Sequence, residues 1–166
     1  MCWKHGFADA SVQQLETATG VNKSGLYSEF SGKEELYLES LRFYLDRLPA
    51  RGLLLVEPLG WDNIEQFLKF GPRNTEGQKG CFAISSMREL AILPPAAIEI
   101  LGRSRGQLKQ LIAKNIEAER PKMAVDDLAA MVMTFFAGLS MEQNLKSTRT
   151  SIGRKVDNLM RVLRSL

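Results

Sequence analysis

The sequence predicts an all-α protein with seven or eight helices. No stretch shows the sustained alternation of apolar and polar residues that a half-buried strand requires, and no Asn-Gly pair marks a tight hairpin. Apolar residues instead recur every three or four positions along most of the 166 residues, separated by glycine, proline and small polar residues. A chain of this length can bury a substantial apolar core without disulfide bonds or metal sites.

Three helices are predicted in quick succession in the stretch SVQQLETATGVNKSGLYSEFSGKEEL, which starts at Ser11. Ser11 is a good N-cap for the first helix, and Gly20 can adopt the left-handed conformation at which helices end. Asn22 caps a second, very short helix, and Ser31 begins a third. Two helices joined by a three-residue glycine turn are typical of a helix-turn-helix motif, whose second helix lies in the major groove of DNA.

The second helix of this motif presents a small, polar outer face. If Leu26 and Phe30 point inward, the hydroxyl and ammonium groups on the other face can contact phosphate oxygens, and Gly25 lets the backbone approach the bases closely. The candidate DNA-binding residues are Ser11, Lys23, Ser24, Gly25, Tyr27, Ser28 and Lys33. The alternatives are a half-buried packing role for Tyr27 and simple solvation of Lys33 at a helix start.

The third predicted helix starts at a capping box formed by Ser31 and Glu34 and ends at Pro49. Its inward face carries Leu36, Ser40, Leu41, Tyr44 and Leu48. The stretch RGLLLVEPLG that follows is predicted to be a connector, because Pro58 and Gly60 block a continuous helix.

Two helices are predicted between residues 62 and 92. The first starts near Asp62, turns its apolar side chains inward and ends at a loop over residues 71–80. The second is predicted from Cys81 to about Ile92, where a pair of prolines ends it. The inward residues of the first are Ile64, Phe67 and Leu68, and those of the second include Phe82, Met87 and Ala91.

Three longer helices are predicted in the C-terminal part of the chain. One covers residues 95–121, with a bend possible at Gly102 and Gly106. The next, over residues 126–146, is apolar on nearly all sides and is therefore expected to be buried on nearly all sides. The last covers residues 151–166 and carries one apolar stripe beside basic residues.

The segment GFADASVQQLETATGVNKSGLYSEFSGKEELYLESL, from Gly6 to about Leu41, resembles the DNA-binding module of the tetracycline-repressor (TetR) family of bacterial transcriptional regulators. The resemblance includes the Gly-aromatic pair, the Gly-Val and Leu-Tyr pairs and the Lys-Glu-x-Leu sequence. It implies a helix-turn-helix, three-helix DNA-binding domain over residues 1–48 and a helical-bundle ligand-binding and dimerisation domain over residues 49–166. The implied function is that of a dimeric repressor that a small molecule releases from double-stranded operator DNA.

This sequence departs from the family pattern in three places. Only MCWKH precedes the Gly-aromatic pair, where the family has a complete first helix, so we expect a truncated first helix and weakened DNA binding. Glu16 stands where a small residue is usual, and Gly25 stands where Thr, Ser or Ala is more common. The alternative to a regulator is an all-α ligand-carrier or interaction protein that has lost DNA binding.

The C-terminal domain is expected to bind an apolar or amphipathic effector, which changes the separation of the two recognition helices in a homodimer. Aromatic and Met side chains at helical spacing can line the effector cavity, although most such residues are ordinary core. The candidate pocket residues are Trp61, Phe67, Phe70, Phe82, Met87, Met131 and Phe135. The candidate dimer-interface residues on the last two helices are Ala129, Ala137, Met141, Ile152, Val156, Leu159 and Leu163.

The net charge of +3 is distributed unevenly along the chain. Residues 1–48 carry five Lys and Arg against seven Asp and Glu, whereas residues 149–166 carry five against one. The composition of the N-terminal part therefore indicates no basic nucleic-acid-binding face, and DNA binding must depend on the placement of a few groups.

No enzymatic site, metal or cofactor is predicted. The acidic residues are spread along solvated helix faces, the single histidine, His5, forms no recognisable catalytic pair, and no Gly-rich phosphate loop follows a strand. Cys2 and Cys81 lack metal-ligand spacing, and Cys81 is either a small buried residue or a thiol sensor. Because neither a signal peptide nor an apolar run of membrane length is present, we expect a bacterial cytoplasmic protein with no membrane partner.

Overall fold

The structure is a computed structural model that describes residues 6–8, 20, 23–70, 80–143 and 149–166, and every regular element in these ranges is a helix. Residues 6–8 are helical, and a 3-10 helix covers Met87–Glu89. The α-helices are α1 (Lys23–Glu29), α2 (Lys33–Asp46), α3 (Ala50–Leu54), α4 (Trp61–Phe70), α5 (Phe82–Ser86), α6 (Pro95–Ala118), α7 (Val125–Glu142) and α8 (Arg149–Leu163). The predicted all-α fold class is confirmed. None of the described helices is long and apolar enough to cross a lipid bilayer.

The chain forms two compact units. The first combines Met1–Arg47 with Phe82–Gly102, and the second combines Leu48–Cys81 with Arg103–Leu166. Helix α6 contributes its residues up to Gly102 to the first unit and the rest to the second. The sequence analysis assigns Phe82–Gly102 to the C-terminal domain, but these residues pack with the N-terminal part of the chain. The two functional domains divided between residues 48 and 49 stay a prediction.

The core of the first unit is built around the rings of Tyr37, Tyr44 and Phe82. The Phe82 centroid lies 5.6 Å from that of Tyr37 and 5.7 Å from that of Tyr44, both in edge-on geometry. Leu41, one turn after Tyr37 on α2, is fully buried in the same cluster. The Tyr37 hydroxyl donates a hydrogen bond to the Ser86 hydroxyl at 2.7 Å, which satisfies the buried polar group. Tyr37 is absent from the inward face predicted for this helix, because its burial depends on the contact with Ser86, which lies 49 residues away in sequence.

The second unit is organised around α4, which packs against α3 and α8. The ring of Phe67 on α4 lies 4.7 Å from the ring of Phe136 on α7. The predicted inward residues of α4 are confirmed, since Ile64, Phe67 and Leu68 are fully buried. The other fully buried residues on the long helices of this unit include Ile112, Ile116, Leu128, Ala129, Val132 and Val156.

Two buried asparagines hold the connection between α3 and α4. The Asn115 amide nitrogen donates to the Leu54 carbonyl oxygen at 2.9 Å, and its amide oxygen accepts from the Gly60 N–H at 3.0 Å and from the Asn63 amide nitrogen at 2.9 Å. Asn63 also donates to the Val56 carbonyl oxygen at 2.7 Å. Because the bonds of Asn115 to Leu54, Gly60 and Asn63 are buried, they fix the path of the loop. The stretch predicted to be a connector thus comprises most of the short helix α3 and the loop that follows it.

Three predicted helix details are wrong. Helix α2 begins after Gly32 with no side-chain cap, and the Ser31 N–H donates to Glu35 at 2.6 Å rather than pairing with Glu34. The helix that starts near Cys81 ends as an α-helix at Ser86 and does not reach Ile92 as one α-helix, because a 3-10 turn replaces its second half. Helix α7 is buried on one face only, as small residues and Met occupy its solvent side.

Candidate nucleic-acid interface

Helix α1 is the short helix that the sequence predicts as the second of a helix-turn-helix motif. It has only seven residues, and Gly20, before it, has φ +70°, the left-handed conformation predicted for the turn. Most of the first motif helix, including Ser11, lies outside the described residues. A short helix that follows a left-handed glycine and precedes α2 by three residues matches the predicted geometry.

The described residues of α1 present hydroxyl groups to solvent. Ser24 and Ser28 are exposed, and Gly25 is half-buried. The Ser28 hydroxyl donates to the Gly25 carbonyl oxygen at 2.8 Å, so its oxygen keeps its lone pairs for an external donor. The predicted contacts of Lys23 and Tyr27 concern side chains that lie outside the described part of the structure. The exposed serines and Gly25 together offer a small, polar surface that a DNA groove can approach closely.

Lys33 is the first residue of α2, and its ammonium group has partners within the protein. It donates to the Ala8 carbonyl oxygen at 2.8 Å and lies 4.8 Å from the centre of the Phe7 ring. The predicted alternatives for Lys33 are a phosphate contact and simple solvation, and neither of them includes this contact within the protein. Because an ammonium group carries three N–H bonds, one bond to Ala8 leaves donors for a phosphate oxygen.

Glu35 closes the turn between α1 and α2. Its carboxylate accepts a hydrogen bond from the Ser31 N–H at 2.6 Å. Hydrogen bonds from the side chain and backbone of Ser31 lower the pKa of the Glu35 carboxyl group, so it is ionised at neutral pH. This negative charge lies in the first turn of α2, where it interacts favourably with the helix dipole.

Glu89 contacts the segment before the motif from 82 residues further along the chain. One carboxylate oxygen accepts from the Phe7 N–H at 2.6 Å, and the other accepts from the Ala8 N–H at 2.9 Å. Sequence reasoning missed this residue. No local signal marks Glu89, and only the folded contact between segments far apart in sequence reveals its role.

The predicted pocket residues are divided between the two units. Phe82 and Met87 belong to the first unit, where the Phe82 ring packs against Tyr37 and Tyr44. In the second unit, Trp61 and Phe67 are buried, Phe135 is half-buried, and Phe70 and Met131 are 38% and 44% exposed. The described contacts bring Phe67 to Phe136 and do not unite the seven residues in one cluster, so the pocket stays a prediction.

The predicted dimer-interface residues have different degrees of burial. Ala129, Val156 and Leu163 are completely or almost completely buried in the core of a single chain, so they offer no surface to a partner. Ala137, Ile152 and Leu159 are half-buried. Met141 is 53% exposed and is accessible to a second subunit.

The described residues contain no group of three or more His, Cys, Asp and Glu side chains that could hold a metal ion. Cys81 is buried and forms no disulfide bond within the described part of the chain.

Comparisons with known proteins give matches to the N-terminal segment and, separately, to the fold. Residues 1–40 match the family model described as bacterial regulatory proteins, tetR family. The HTH-type transcriptional repressor ComR of Escherichia coli (strain K12) is 41% identical over 49 residues, which are 30% of this chain and 23% of ComR. The match therefore spans about a quarter of that relative.

Solved structures share the fold of nearly the whole chain. A TetR-family transcriptional regulator from Agrobacterium tumefaciens has a TM-score of 0.85 at 12% identity, covering 97% of this chain and 90% of that one. A cysteine mutant of the TetR-family regulator CifR, whose structure includes a 26-base-pair operator DNA, has a TM-score of 0.78 at 23% identity, covering 96% and 89%. Reduced NemR of E. coli has a TM-score of 0.74 at 16% identity, covering 99% and 90%. The TM-scores show a common fold, and at these low identities the matches show the fold alone.

Proposed function

We propose that this chain, a member of the TetR family of bacterial regulatory proteins, is a transcriptional repressor that binds operator DNA as a homodimer and responds to a small molecule. The observation that carries the proposal is the match of residues 1–40 to the family model, together with the short, polar helix α1 that follows a left-handed glycine. The names of ComR, a repressor, and of the CifR complex with operator DNA support the same function.

The proposed DNA contact depends on α1 and the start of α2. The exposed Ser24 and Ser28 are short enough to reach base edges when the helix lies in a major groove, and Lys33 can donate to a phosphate. The low positive charge of the chain predicts a modest electrostatic contribution, so orientation of the motif must account for much of the affinity for a specific site.

The proposed dimer interface uses the solvent face of α7. Met131, Thr134, Gly138 and Met141 recur at intervals of three and four residues and are all exposed. The Thr134 hydroxyl donates to the Ala130 carbonyl oxygen at 2.9 Å, so this face presents mainly apolar groups. An exposed apolar stripe is typical of a protein interface. In a two-fold dimer, the stripe of one subunit would pack against the same stripe of the other.

The last helix adds a second stripe to this interface. Ile152 and Leu159 are half-buried, and Val162 is 55% exposed. An ion pair between Lys155 and Glu142 joins α8 to α7, so the two helices are in contact. Val156, Met160 and Leu163, which continue the apolar stripe of α8, are buried within the chain.

The proposed effector is apolar or amphipathic and binds in the second unit. Helices α4 and α7 bring the rings of Phe67 and Phe136 into contact there, and Phe135, the residue before Phe136, is half-buried. Flexible Met residues and aromatic rings adapt to ligands of irregular shape.

The test is selection of duplex DNA from a random library by the purified wild-type chain, followed by fluorescence anisotropy at two or more salt concentrations. A regulator prefers the selected duplex to a random duplex by roughly a thousandfold or more. Equal affinity for both duplexes would contradict the proposal. It would favour the alternative, an all-α ligand-carrier or interaction protein that has lost DNA binding.

A further inference from the structure

We infer that Glu89 is a positioning residue for DNA binding, which sets the orientation in which the chain enters the helix-turn-helix motif. This inference rests on the proposed function. Glu89 ends the 3-10 helix that follows α5 and lies in the first compact unit together with α1 and α2. It has no place in the sequence motif of the DNA-binding module, since 82 residues separate it from Phe7.

The contact of Glu89 is bidentate and directed at the backbone. Its two carboxylate oxygens accept hydrogen bonds from the successive N–H groups of Phe7 and Ala8, at 2.6 and 2.9 Å. A charged acceptor makes stronger hydrogen bonds than a neutral one, and two parallel bonds fix direction as well as distance. Because the contact is to the backbone, it determines the path of the chain rather than the placement of one side chain.

Gly6 allows the carboxylate to approach this closely. Its φ is +75°, a conformation that residues with a side chain rarely adopt. A Cβ atom at residue 6 would also collide with the Glu89 carboxylate. Glycine is therefore favoured at position 6 for two reasons, the positive φ of its backbone and the closeness of the Glu89 carboxylate.

Two residues of α2, Lys33 and Tyr37, contact the same short segment. The Ala8 carbonyl oxygen accepts a hydrogen bond from the Lys33 ammonium group at 2.8 Å, and the Phe7 ring lies edge-on to Tyr37 at 5.1 Å. Both backbone groups of Ala8 are thus bonded to ionised side chains, the N–H to Glu89 and the carbonyl to Lys33. Opposite charges from two distant parts of the chain fix one peptide segment.

The location of this segment gives the contact its function. Only two residues separate Ala8 from Ser11, the predicted first residue of the motif. Ala8 is exposed, so its hydrogen bonds contribute little to the packing of the core. A change in the direction of the chain at Ala8 would change the orientation of the motif that follows. Glu89 therefore acts on DNA binding through the geometry of residues 7 and 8 and makes no contact with DNA itself.

The deciding experiment compares Glu89→Gln with Glu34→Gln. A glutamine at position 89 keeps the length of the side chain but offers only one acceptor oxygen, and its amide nitrogen faces an N–H donor. Glu34 lies at the start of α2, is exposed, and has no described contact with residues 6–8. Both changes remove one negative charge per subunit, so Glu34→Gln controls for the electrostatic effect on DNA affinity.

The expected result is a loss of roughly tenfold or more in the affinity of Glu89→Gln for the selected duplex, the size of effect that loss of a charge-assisted hydrogen bond produces. The slope of log K against log salt stays unchanged, because no phosphate contact is removed. Affinity for a random duplex is unchanged or slightly higher, and Glu34→Gln binds the selected duplex at least as tightly as the wild type does. Amide hydrogen exchange at Phe7 and Ala8 becomes faster in Glu89→Gln alone.

Several results would overturn the inference. One is equal affinity of wild type and Glu89→Gln for the selected duplex, which leaves the proposed function standing. Another is loss of folded protein in both Glu89→Gln and Glu89→Asp, measured by circular dichroism, since it would make Glu89 a residue for stability alone. Failure of the wild type to select any duplex would overturn the proposed function itself, and this inference with it.

Discussion

The ammonium group of Lys33 contacts the segment before the motif and is also proposed to bind a DNA phosphate. Its hydrogen bond to the Ala8 carbonyl oxygen, at 2.8 Å, and its position over the Phe7 ring hold the segment before the motif. Two N–H groups remain, and they can donate to a phosphate at the start of α2, where backbone amides also favour anions. The two tasks affect different measured quantities, so they can be separated.

Replacing Lys33 with Ala should lower the slope of log K against log salt by roughly 2 in a dimer, since each phosphate contact releases about 0.9 counterion. The measurement is anisotropy of the selected duplex over a range of salt concentrations. Lys114→Ala is the matched control, because Lys114 is exposed on α6 in the second unit. An unchanged slope with reduced affinity would show that Lys33 serves only to hold Ala8.

A second residue-scale prediction concerns Tyr27, whose side chain lies outside the described residues. Tyr27→Phe removes only a hydroxyl group, so it should weaken binding by about 1 kcal/mol, as loss of one hydrogen bond does. The salt slope should change little, since the phenol carries no charge. Unaltered affinity would favour the alternative role of Tyr27 as a packing residue.

At the scale of elements, an ion-pair network joins α4 to α8. Lys69 contacts Asp157 at 2.8 Å and Glu65 at 2.6 Å, and Arg164 contacts Asp62 at 2.5 Å and Glu65 at 2.9 Å. Hydrogen bonds from Lys69, and then from Arg164, lower the pKa of the Glu65 carboxyl group. The pKa of Lys69 is raised most by its hydrogen bond to Asp157 and less by its hydrogen bond to Glu65. The pKa of Arg164 is raised most by its hydrogen bond to Asp62 and less by its hydrogen bond to Glu65.

The lowered pKa of Glu65 predicts a pH dependence of stability. A carboxyl group with a lower pKa in the folded state stabilises the fold above its unfolded pKa, about 4.3, and this contribution is lost as pH falls through the folded pKa. Glu65→Gln should therefore lower the free energy of unfolding at pH 7 by a few tenths to about 1 kcal/mol, and by less at pH 3. Urea unfolding at both pH values measures this. A loss of equal size at both would contradict the assignment.

The exposed apolar stripes of α7 and α8 lead to a prediction about assembly. Replacing Leu159 or Val162 with Glu places a charge in the proposed interface and should yield monomers in sedimentation velocity at tens of micromolar, well above the dissociation constant of a tight dimer. Val56→Glu is the matched control, because Val56 is 52% exposed and lies outside both helices. A monomeric wild type at this concentration would refute the proposed dimer.

Helix positions are predictable from sequence where the signals are local. The left-handed Gly20, the short α1 and the inward residues of α4 all follow from turn chemistry and three- to four-residue spacing. The burial of Tyr37 and the role of Glu89 depend on Ser86 and Phe7, which lie 49 and 82 residues away. No local pattern encodes such partners.

At the scale of the whole molecule, segments that pack together are not always consecutive in sequence. The segment Phe82–Gly102 packs with the N-terminal residues although it follows α4 in sequence. Periodicity identifies its apolar residues, but the partner of an apolar face is decided by the fold. The predicted pocket set takes Phe82 from the core of the first unit and Phe67 from the core of the second, and this pocket stays a prediction.

Dimeric DNA binding predicts that the selected duplex contains two half-sites whose spacing is fixed. Recognition helices in a dimer meet successive major grooves one helical turn apart, about 34 to 36 Å. Inserting about 5 base pairs between the half-sites turns one of them by half a helical turn, onto the opposite face of the duplex. Affinity should then fall toward that of a single half-site.

The same insertion separates the dimer proposal from binding by independent subunits. Leu159→Glu, as a monomer, should bind the original and the extended duplex with equal, weak affinity, because one subunit meets one half-site in both. The wild type should bind the original duplex far more tightly, since its second contact is intramolecular and has a high effective concentration. Equal binding of both duplexes by the wild type would show that its subunits act independently on DNA, and the dimer would then have no part in operator recognition.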